Sequence, residues 1–194
     1  MKIKGIEKLA STKWLSLKQV TWLDKNNKEQ KWDFVERIGD QQVVTVICKS
    51  RQTNKLLFIA QPRVPVNKIV IEFPAGLIDP GETIEQAALR ELVEETGYDG
   101  EVIATGPFVS KSAGLTNEVT AFVECLVDEK AVGNTEMGET EDIQSFWLTP
   151  NQFKQMAATL NPDKTIIDAL VWFYLSGYLT AKRKPKKRSK TIKK

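Results

Sequence analysis

The chain has 194 residues, of which 41% are hydrophobic, and its formal net charge is +3. A chain of this size can bury one good hydrophobic core with room for a small accessory unit. It contains no histidine, so histidine-based catalysis is excluded, and any general base must be a carboxylate, a lysine or metal-bound hydroxide.

The N-terminal third of the chain is predicted to form β-strands. Two long, loosely alternating segments lie on either side of a turn signal, Asn26-Asn27, and predict a hairpin. The later segments are compact β-branched or apolar runs, which are typical of central strands. The strands expected here are 15–24, 31–38, 42–49, 56–60 and 69–73.

The two cysteines, Cys48 and Cys125, fall within apolar, strand-like runs that are far apart in the sequence. This placement favours reduced thiols in the core of an intracellular protein.

The N-terminus lacks the apolar stretch of a signal peptide, and the best apolar run, 166–175, is interrupted by Asp168. We therefore expect a cytoplasmic protein without a membrane segment.

An acidic helix is predicted after the fifth strand. Pro80-Gly81 is a turn signal, and Thr83 with Gln86 three residues later forms a capping box that begins a helix. The residues that follow are mostly good helix formers, and Gly97 stands where a left-handed C-terminal cap belongs.

Three glutamates share one face of this helix. Glu91, Glu94 and Glu95 have i, i+3 and i+4 spacing, so their charges repel unless a cation lies between them. Mg²⁺ accepts oxygen ligands and bridges to substrate phosphates, and metals over a diphosphate can activate a water. Arg90 would then orient a carboxylate through paired hydrogen bonds. The alternative is a solvated helix with ordinary i,i+4 ion pairs.

The C-terminal half is predicted to alternate strands and helices. Strands are expected at 102–108, 118–126 and 145–148, with an acidic loop between the last two, a short helix at 151–159 and an amphipathic helix at 163–176 that ends at Gly177.

The last residues, 182–194, contain nine Lys or Arg and no acid, so the remaining body has 19 basic and 25 acidic residues, a net charge of −6. Such a tail is typical of a nuclear import signal in a eukaryotic cell. It is also compatible with nonspecific RNA or DNA contact, or with a disordered solubilising extension.

The acidic segment resembles the Nudix box. From Gly76 it reads five residues, Glu82, seven residues, and then Arg-Glu-apolar-any-Glu-Glu-any-Gly-apolar, which ends at Tyr98. The resemblance implies an α/β (α+β) fold in which a mixed β-sheet is sandwiched between helices, and Mg²⁺-dependent hydrolysis of a nucleoside diphosphate linked to another group. It also implies Glu91 and Glu95 as principal metal ligands, assisted by Glu94 and the Ala75 carbonyl. Two or three Mg²⁺ ions are expected per site, with Mn²⁺ as the alternative.

Further motifs resemble the ADP-ribose and ADP-sugar pyrophosphatase branch of that family: Gln61-Pro62-Arg63, the run 71–79, Lys13-Trp14-Leu15, and Lys31-Trp32-Asp33 with Arg37. The resemblance implies a homodimer with exchanged N-terminal strands, in which Trp14 and Trp32 from different subunits sandwich adenine. The remaining substrate-binding residues implied are Asp33 at the adenine edge, Arg37 and Arg63 at the diphosphate, Glu72 at a ribose hydroxyl or in the metal shell, and Gly76 and Leu77. From the residues alone, the tryptophans could instead lie in the core, and the arginines could form surface ion pairs.

The catalytic base in this branch lies on a mobile loop after the box. The matching loop here is 136–143, where Glu141 aligns best and Glu139 is second. Closure of such a loop would bring the base to its water and exclude solvent; the alternative is an exposed acidic loop. One departure is Ala113, which stands where the branch usually has proline, so the stiffness of that loop and the substrate preference can differ.

These patterns predict three parts: an N-terminal antiparallel β-hairpin domain at 1–40 for dimerisation and adenine binding, a Nudix catalytic domain at 41–180, and a basic disordered tail at 181–194. The expected reaction is hydrolysis of ADP-ribose or another ADP-sugar to AMP and a sugar phosphate, ribose 5-phosphate for ADP-ribose. Alternatives are the same chemistry on an ADP-hexose or 8-oxo-dGDP, and a Nudix-fold RNA-binding module that uses the tail.

Overall fold

The computed structural model describes residues 1–39, 42–133, 135 and 142–181. Within them, strands dominate and helices flank the larger of two sheets. The strands are β1 Lys2–Ser11, β2 Leu15–Leu23, β3 Glu29–Arg37, β4 Val43–Ser50, β5 Leu56–Arg63, β6 Lys68–Glu72, β7 Ala75–Leu77, β8 Gly100–Ser110, β9 Val119–Val127, β10 Gln144–Leu148 and β11 Thr165–Ile167, and the helices are α1 Ile84–Thr96, α2 Pro150–Ala157 and α3 Ala169–Ala181.

The N-terminal sheet is antiparallel and has the order β1-β2-β3. The predicted hairpin is confirmed as β2 and β3, and Asn27 in its turn has a left-handed φ of 59°. The sequence patterns did not predict β1. Its apolar residues Ile3, Ile6 and Leu9 recur every three positions, and irregularities interrupt its register with β2, so the period of two that marks a strand is lost.

The larger sheet has the order β11-β6-β5-β4-β9-β8, with β10 beside β5 and β7 beside β4. The pairs β4–β9 and β6–β11 are parallel and the other pairs are antiparallel, which confirms the expected mixed sheet. The segments expected to be central strands, β4 and β5, lie in the middle of this order.

Helices cover both faces of the larger sheet because the side chains of β4 alternate between two cores. Val44 and Val46 pack in one core with Leu92 of α1. Ile47 packs in the other with Phe153 of α2 and with residues of α3. The predicted arrangement of a mixed sheet between helices is therefore confirmed.

Cys48 and Cys125 are register partners on the parallel strands β4 and β9, and both are buried free thiols. Burial raises the pKa of Cys48 well above its ordinary value and that of Cys125 to about 11. The prediction that both cysteines lie in the core is thus confirmed.

The predicted amphipathic helix at 163–176 is wrong at both ends. Thr165–Ile167 instead forms β11, which adds a parallel strand beside β6, because this β-branched run suits the open edge of the sheet. The helix begins only after Asp168, whose carboxylate accepts a hydrogen bond from the Leu170 amide, and it continues past Gly177 to Ala181.

Among the described residues, no helix is long and apolar enough to cross a membrane. The three-part division of the chain stays a prediction, as do the cytoplasmic or nuclear location and the role of the basic tail. Residues 182–194 of that tail lie outside the described part of the chain.

Candidate active site

Helix α1 is fixed at both ends in the way its sequence predicts. The Thr83 hydroxyl accepts a hydrogen bond from the Gln86 amide while the Gln86 side chain accepts one from the Thr83 amide. At the other end, Gly97 has a φ of 72° and donates its N–H to the Val93 carbonyl. With these ends fixed and Leu92 buried in the core, the acidic face of the helix is held in a defined direction.

Arg90 connects the acidic side chains of this region. Its guanidinium donates to both carboxylate oxygens of Glu82 at 2.9 Å, to Glu91 at 2.8 Å, to Glu94 at 3.0 Å and to the Leu77 carbonyl at 2.8 Å. The bonds to Glu82, followed by those to Glu91 and Glu94, raise the pKa of Arg90 above its ordinary value. The same contact with Arg90 lowers the pKa of Glu82. Arg90 is therefore placed to orient carboxylates, as its position in the motif predicts.

Glu91 and Glu95 reach the backbone of β7. A Cβ atom built on Gly76 would lie 1.9 Å from the Glu91 carboxylate, so the Glu91 side chain occupies the space that a larger residue would fill. Glu95 is 7% exposed, and its carboxylate accepts a hydrogen bond of 3.0 Å from the Ala75 amide. Strand β7, which is too short to predict from the sequence, thus brings Ala75, Gly76 and Leu77 to the acidic face of α1.

A cavity of about 500 Å³ collects most of the predicted site residues. Its lining combines carboxylates of α1, backbone of β7 and guanidinium groups from two other strands. The predicted residues in the described lining are Arg37, Arg63, Ala75, Gly76, Leu77, Arg90, Glu91, Glu94 and Glu95. The predicted residues Trp14, Trp32, Asp33 and Glu72 are absent from this described lining, and Glu139 and Glu141 lie outside the described residues.

Two of the arginines that line the cavity, Arg37 of β3 and Arg63 of β5, are also ion-paired. Arg37 donates from Nε and Nη2 to one oxygen of Glu118, at 3.1 and 2.8 Å. Arg63 donates from Nε to Glu72 at 2.8 Å, and Gln61 donates to the same Glu72 oxygen at 3.0 Å. Each arginine thus forms an ion pair and also lines the cavity, and its contact with a diphosphate stays a prediction.

The tryptophans of the N-terminal sheet lie at the surface, with 65% of Trp14 and 54% of Trp32 exposed, so neither is a core residue. The Trp32 indole donates to the Gly114 carbonyl at 3.1 Å, and the Val35 amide donates to the Leu115 carbonyl at 2.8 Å. These bonds attach the N-terminal sheet to loop 112–117.

Other cavity-lining residues were missed by sequence reasoning, namely Val43, Asp79, Lys111 and Glu118. Lys111 and Glu118 directly follow and precede the paired residues Ser110 and Val119, so the pairing of β8 with β9 brings them to the cavity. The similarity of loop 112–117 to a family loop pointed to this region, but the sequence does not show which flanking side chains reach the site.

The donor set of the cavity fits a divalent cation. Within the described residues, no three Asp, Glu or Cys side chains already converge on one point suitable for a metal ion. The cavity nevertheless presents the carboxylates of Glu91, Glu94 and Glu95 beside the backbone of Ala75, and oxygen ligands of this kind are what Mg²⁺ and similar hard cations bind. Arg90 donates hydrogen bonds to the Glu91 and Glu94 carboxylates, and a bound cation would share these two carboxylates with Arg90.

The comparison with known proteins identifies the family. A family model described as the NUDIX domain matches residues 40–170. The chain belongs to the Nudix family. Membership of the Nudix family implies dependence on a divalent metal ion, in agreement with the donor set of the cavity.

Two Nudix relatives match nearly the whole chain. An ADP-ribose pyrophosphatase of Saccharomyces cerevisiae is 33% identical over 192 residues, which cover 93% of this chain and 83% of the relative. An ADP-sugar pyrophosphatase of Mus musculus is 31% identical over 191 residues, which cover 92% of this chain and 88% of the relative. A crystal structure of an ADP compounds hydrolase superimposes with a TM-score of 0.73 at 19% identity, covering 93% of this chain and 95% of that one, which supports the Nudix fold.

Proposed function

We propose that this Nudix protein hydrolyses the pyrophosphate linkage of ADP-ribose and related ADP-sugars, releasing AMP and, from ADP-ribose, ribose 5-phosphate. The observation that carries the proposal is a cavity that is lined both by three glutamates of α1 and by Arg37 and Arg63. Cation-binding and phosphate-binding groups share this space, as hydrolysis of a diphosphate requires. The similarity to pyrophosphatases of ADP-ribose and ADP-sugars extends over the N-terminal sheet as well as the Nudix region.

The metal is expected to be Mg²⁺, with Mn²⁺ as the alternative and two or three ions per site. Glu91 and Glu95 would be the principal ligands, with Glu94 and the Ala75 carbonyl completing the set. When bound, these ions would neutralise phosphate charge and make a water more acidic. Arg90 would position Glu91 and Glu94, because its guanidinium already holds both carboxylates at hydrogen-bonding distance.

Arg37 and Arg63 would bind the diphosphate. Each guanidinium is held at the cavity by a carboxylate, Glu118 or Glu72, and only some of its donors are used by that partner. The remaining N–H groups can donate to phosphate oxygens in the forked geometry that arginine favours. Glu72 would bind a ribose hydroxyl or contribute to the metal shell, and its bond with Arg63 would also position that guanidinium.

The general base stays a prediction, with Glu141 first and Glu139 second. A Glu141→Gln substitution is expected to lower kcat with little change in KM, whereas Glu139→Gln is expected to change kcat less. If Glu139→Gln causes the larger loss of kcat, the two assignments are reversed.

Adenine binding between Trp14 and Trp32 would require two subunits. The Ile38 amide donates to the Trp14 carbonyl, so Trp14 lies opposite Ile38, whereas Trp32 lies opposite Val20. The two tryptophans of one chain are therefore about six residues apart along the hairpin, which is about 20 Å at 3.4 Å per residue. A base stacked between two rings needs them about 7 Å apart. A homodimer with exchanged N-terminal strands would supply one ring from each subunit, and the Asp33 carboxylate would lie near the adenine edge.

Subunit complementation tests this arrangement. If each adenine site takes one tryptophan from each subunit, a heterodimer of one Trp14→Ala subunit and one Trp32→Ala subunit has two different sites. One site lacks both tryptophans, and the other retains both. Each variant homodimer is expected to have a raised KM, and a doubly tagged, co-expressed heterodimer is expected to recover about half of the wild-type kcat at the wild-type KM. A heterodimer that behaves like the variant homodimers would contradict a shared adenine site.

The reaction itself is tested by AMP release from ADP-ribose with saturating Mg²⁺. Glu91→Gln is expected to abolish most turnover because a proposed metal ligand is lost. Glu85→Gln is the matched control on the same helix, because Glu85 bonds to Thr105 and is absent from the described lining of the cavity. Unchanged turnover in Glu91→Gln would contradict the proposed mechanism.

A further inference from the structure

One cation of the cavity has no carboxylate partner among the residues that the structure describes. The described lining contains the basic residues Arg37, Arg63, Arg90 and Lys111. The three arginines each donate to glutamates. The Lys111 side chain is exposed and, among the described residues, forms no ion pair or hydrogen bond.

The nearest expected partner of Lys111 within the described strands is Glu118. Ser110 of β8 pairs with Val119 of β9, so the next residues along, Lys111 and Glu118, are brought opposite each other. Oppositely charged residues at such positions ordinarily attract. Here two N–H groups of Arg37 donate to one oxygen of the Glu118 carboxylate, and no described contact joins Glu118 to Lys111. Within the described part of the chain, the Lys111 ammonium therefore lines the cavity without a carboxylate partner.

We propose that Lys111 binds a phosphate oxygen of the substrate and is a specificity-determining residue of this site. The inference rests on the proposed function, since it assumes that a diphosphate enters the cavity. The described lining contains five acidic and four basic side chains. An anion is therefore repelled near those basic side chains whose charge is already neutralised by a glutamate. Among the described residues, no carboxylate competes with a phosphate for Lys111, whereas each arginine already binds at least one glutamate.

Two phosphate positions could provide the contact, namely the diphosphate itself and a phosphate on the distal sugar of a more anionic ADP-sugar. Both would present the same acceptor oxygens to the ammonium group. The two positions differ in which substrates would bind more weakly when Lys111 is replaced. Every ADP-sugar has the diphosphate, whereas only some have a phosphate on the distal sugar.

The test compares Lys111→Gln with the wild type on ADP-ribose and on ADP-ribose phosphorylated at its distal ribose. Loss of one charge-assisted contact is expected to raise KM by about three- to tenfold with little change in kcat. An equal rise for both substrates assigns the contact to the diphosphate, and a rise for the phosphorylated substrate alone assigns it to the distal phosphate. An unchanged KM for both substrates overturns the proposal.

Ionic strength separates a charge contact from a structural effect. The kcat/KM of the wild type is expected to fall as salt screens the exposed ammonium, and Lys111→Gln is expected to fall less steeply. Lys111→Arg keeps the charge and is expected to restore the KM. Lys130→Gln is the control, because Lys130 is an exposed lysine beyond the opposite end of β9 and has no ion pair among the described residues.

The outcomes for the reaction and for Lys111 are distinguishable. A wild-type protein that does not hydrolyse ADP-ribose contradicts the proposed function, and the Lys111 assignment is then decided by affinity for inorganic pyrophosphate in a thermal-shift titration. Weaker pyrophosphate binding by Lys111→Gln than by Lys130→Gln supports the assignment. Equal binding overturns it.

Discussion

Gly76→Ala is expected to inactivate the protein while leaving its fold intact. A Cβ atom at this position would lie 1.9 Å from both Cδ and Oε1 of Glu91, which is impossible, so the carboxylate must move. The obstructing atoms are the end of a flexible side chain rather than backbone. Gly76 is also not among the glycines with positive φ, so alanine adds no backbone strain.

The two consequences differ in size. Displacing the carboxylate removes its 2.8 Å contact with Arg90, in which the two side chains are only 27% and 12% exposed. The expected cost to the free energy of unfolding is about 1–2 kcal/mol. The same displacement moves a proposed metal ligand, and kcat/KM is expected to fall at least about 100-fold, equivalent to about 2.7 kcal/mol.

Two assays separate these consequences, namely urea unfolding and kcat/KM for ADP-ribose at saturating Mg²⁺. Gly106→Ala is the matched control, because its Cβ would have an ordinary contact of 3.4 Å with the Phe122 carbonyl and its activity should stay within about twofold. A Gly76→Ala protein that retains wild-type kcat/KM would refute the assignment of Glu91.

Three further predictions concern the elements around the site. Arg90→Lys should lower kcat/KM by about 10- to 100-fold, because lysine cannot hold Glu82, Glu91 and Glu94 together; an unchanged metal-activation curve would contradict a positioning role. Gly97→Ala should lower the free energy of unfolding by at least about 1 kcal/mol, since φ is 72° and the Cβ would lie 2.8 Å from a backbone oxygen, and an unchanged urea midpoint would contradict this. Lys55, Thr53 and Ser50 lower the pKa of Glu129 to about 2, so its stabilisation is present above its ordinary pKa of 4.5 and is lost as pH falls toward 2. Urea midpoints measured across this range should fall less in Glu129→Gln than in the wild type, and parallel curves would refute the assignment.

Local signals in the sequence were sufficient to predict α1. Its capping box, its glycine C-cap and the spacing of its glutamates depend on residues within one turn of each other, and the structure has all three. Strands with strong apolar runs were equally predictable, because β4 and β5 are buried over most of their length.

Features that depend on contacts between distant segments could not be predicted in this way. Thr165–Ile167 is a strand because β6 offers it an open edge, and the neighbouring sequence alone favours a helix. The pairing of Arg37 with Glu118 joins residues 81 positions apart, so it becomes visible only in the folded chain, as does the absence of a partner for Lys111 among the described residues. Arg63 and Glu72 likewise form an ion pair only because β5 pairs with β6.

The most direct test of the central claim is a turnover panel of ADP-ribose, ADP-glucose, NADH, diadenosine polyphosphates and 8-oxo-dGDP, each measured with Mg²⁺ and with a chelator. We predict metal-dependent release of AMP that is fastest from ADP-ribose. Faster turnover of another substrate by about tenfold, or about 1.4 kcal/mol of transition-state preference, would contradict the assignment of ADP-ribose. Turnover that persists after removal of the metal, or no turnover of any member of the panel, would contradict the proposed function.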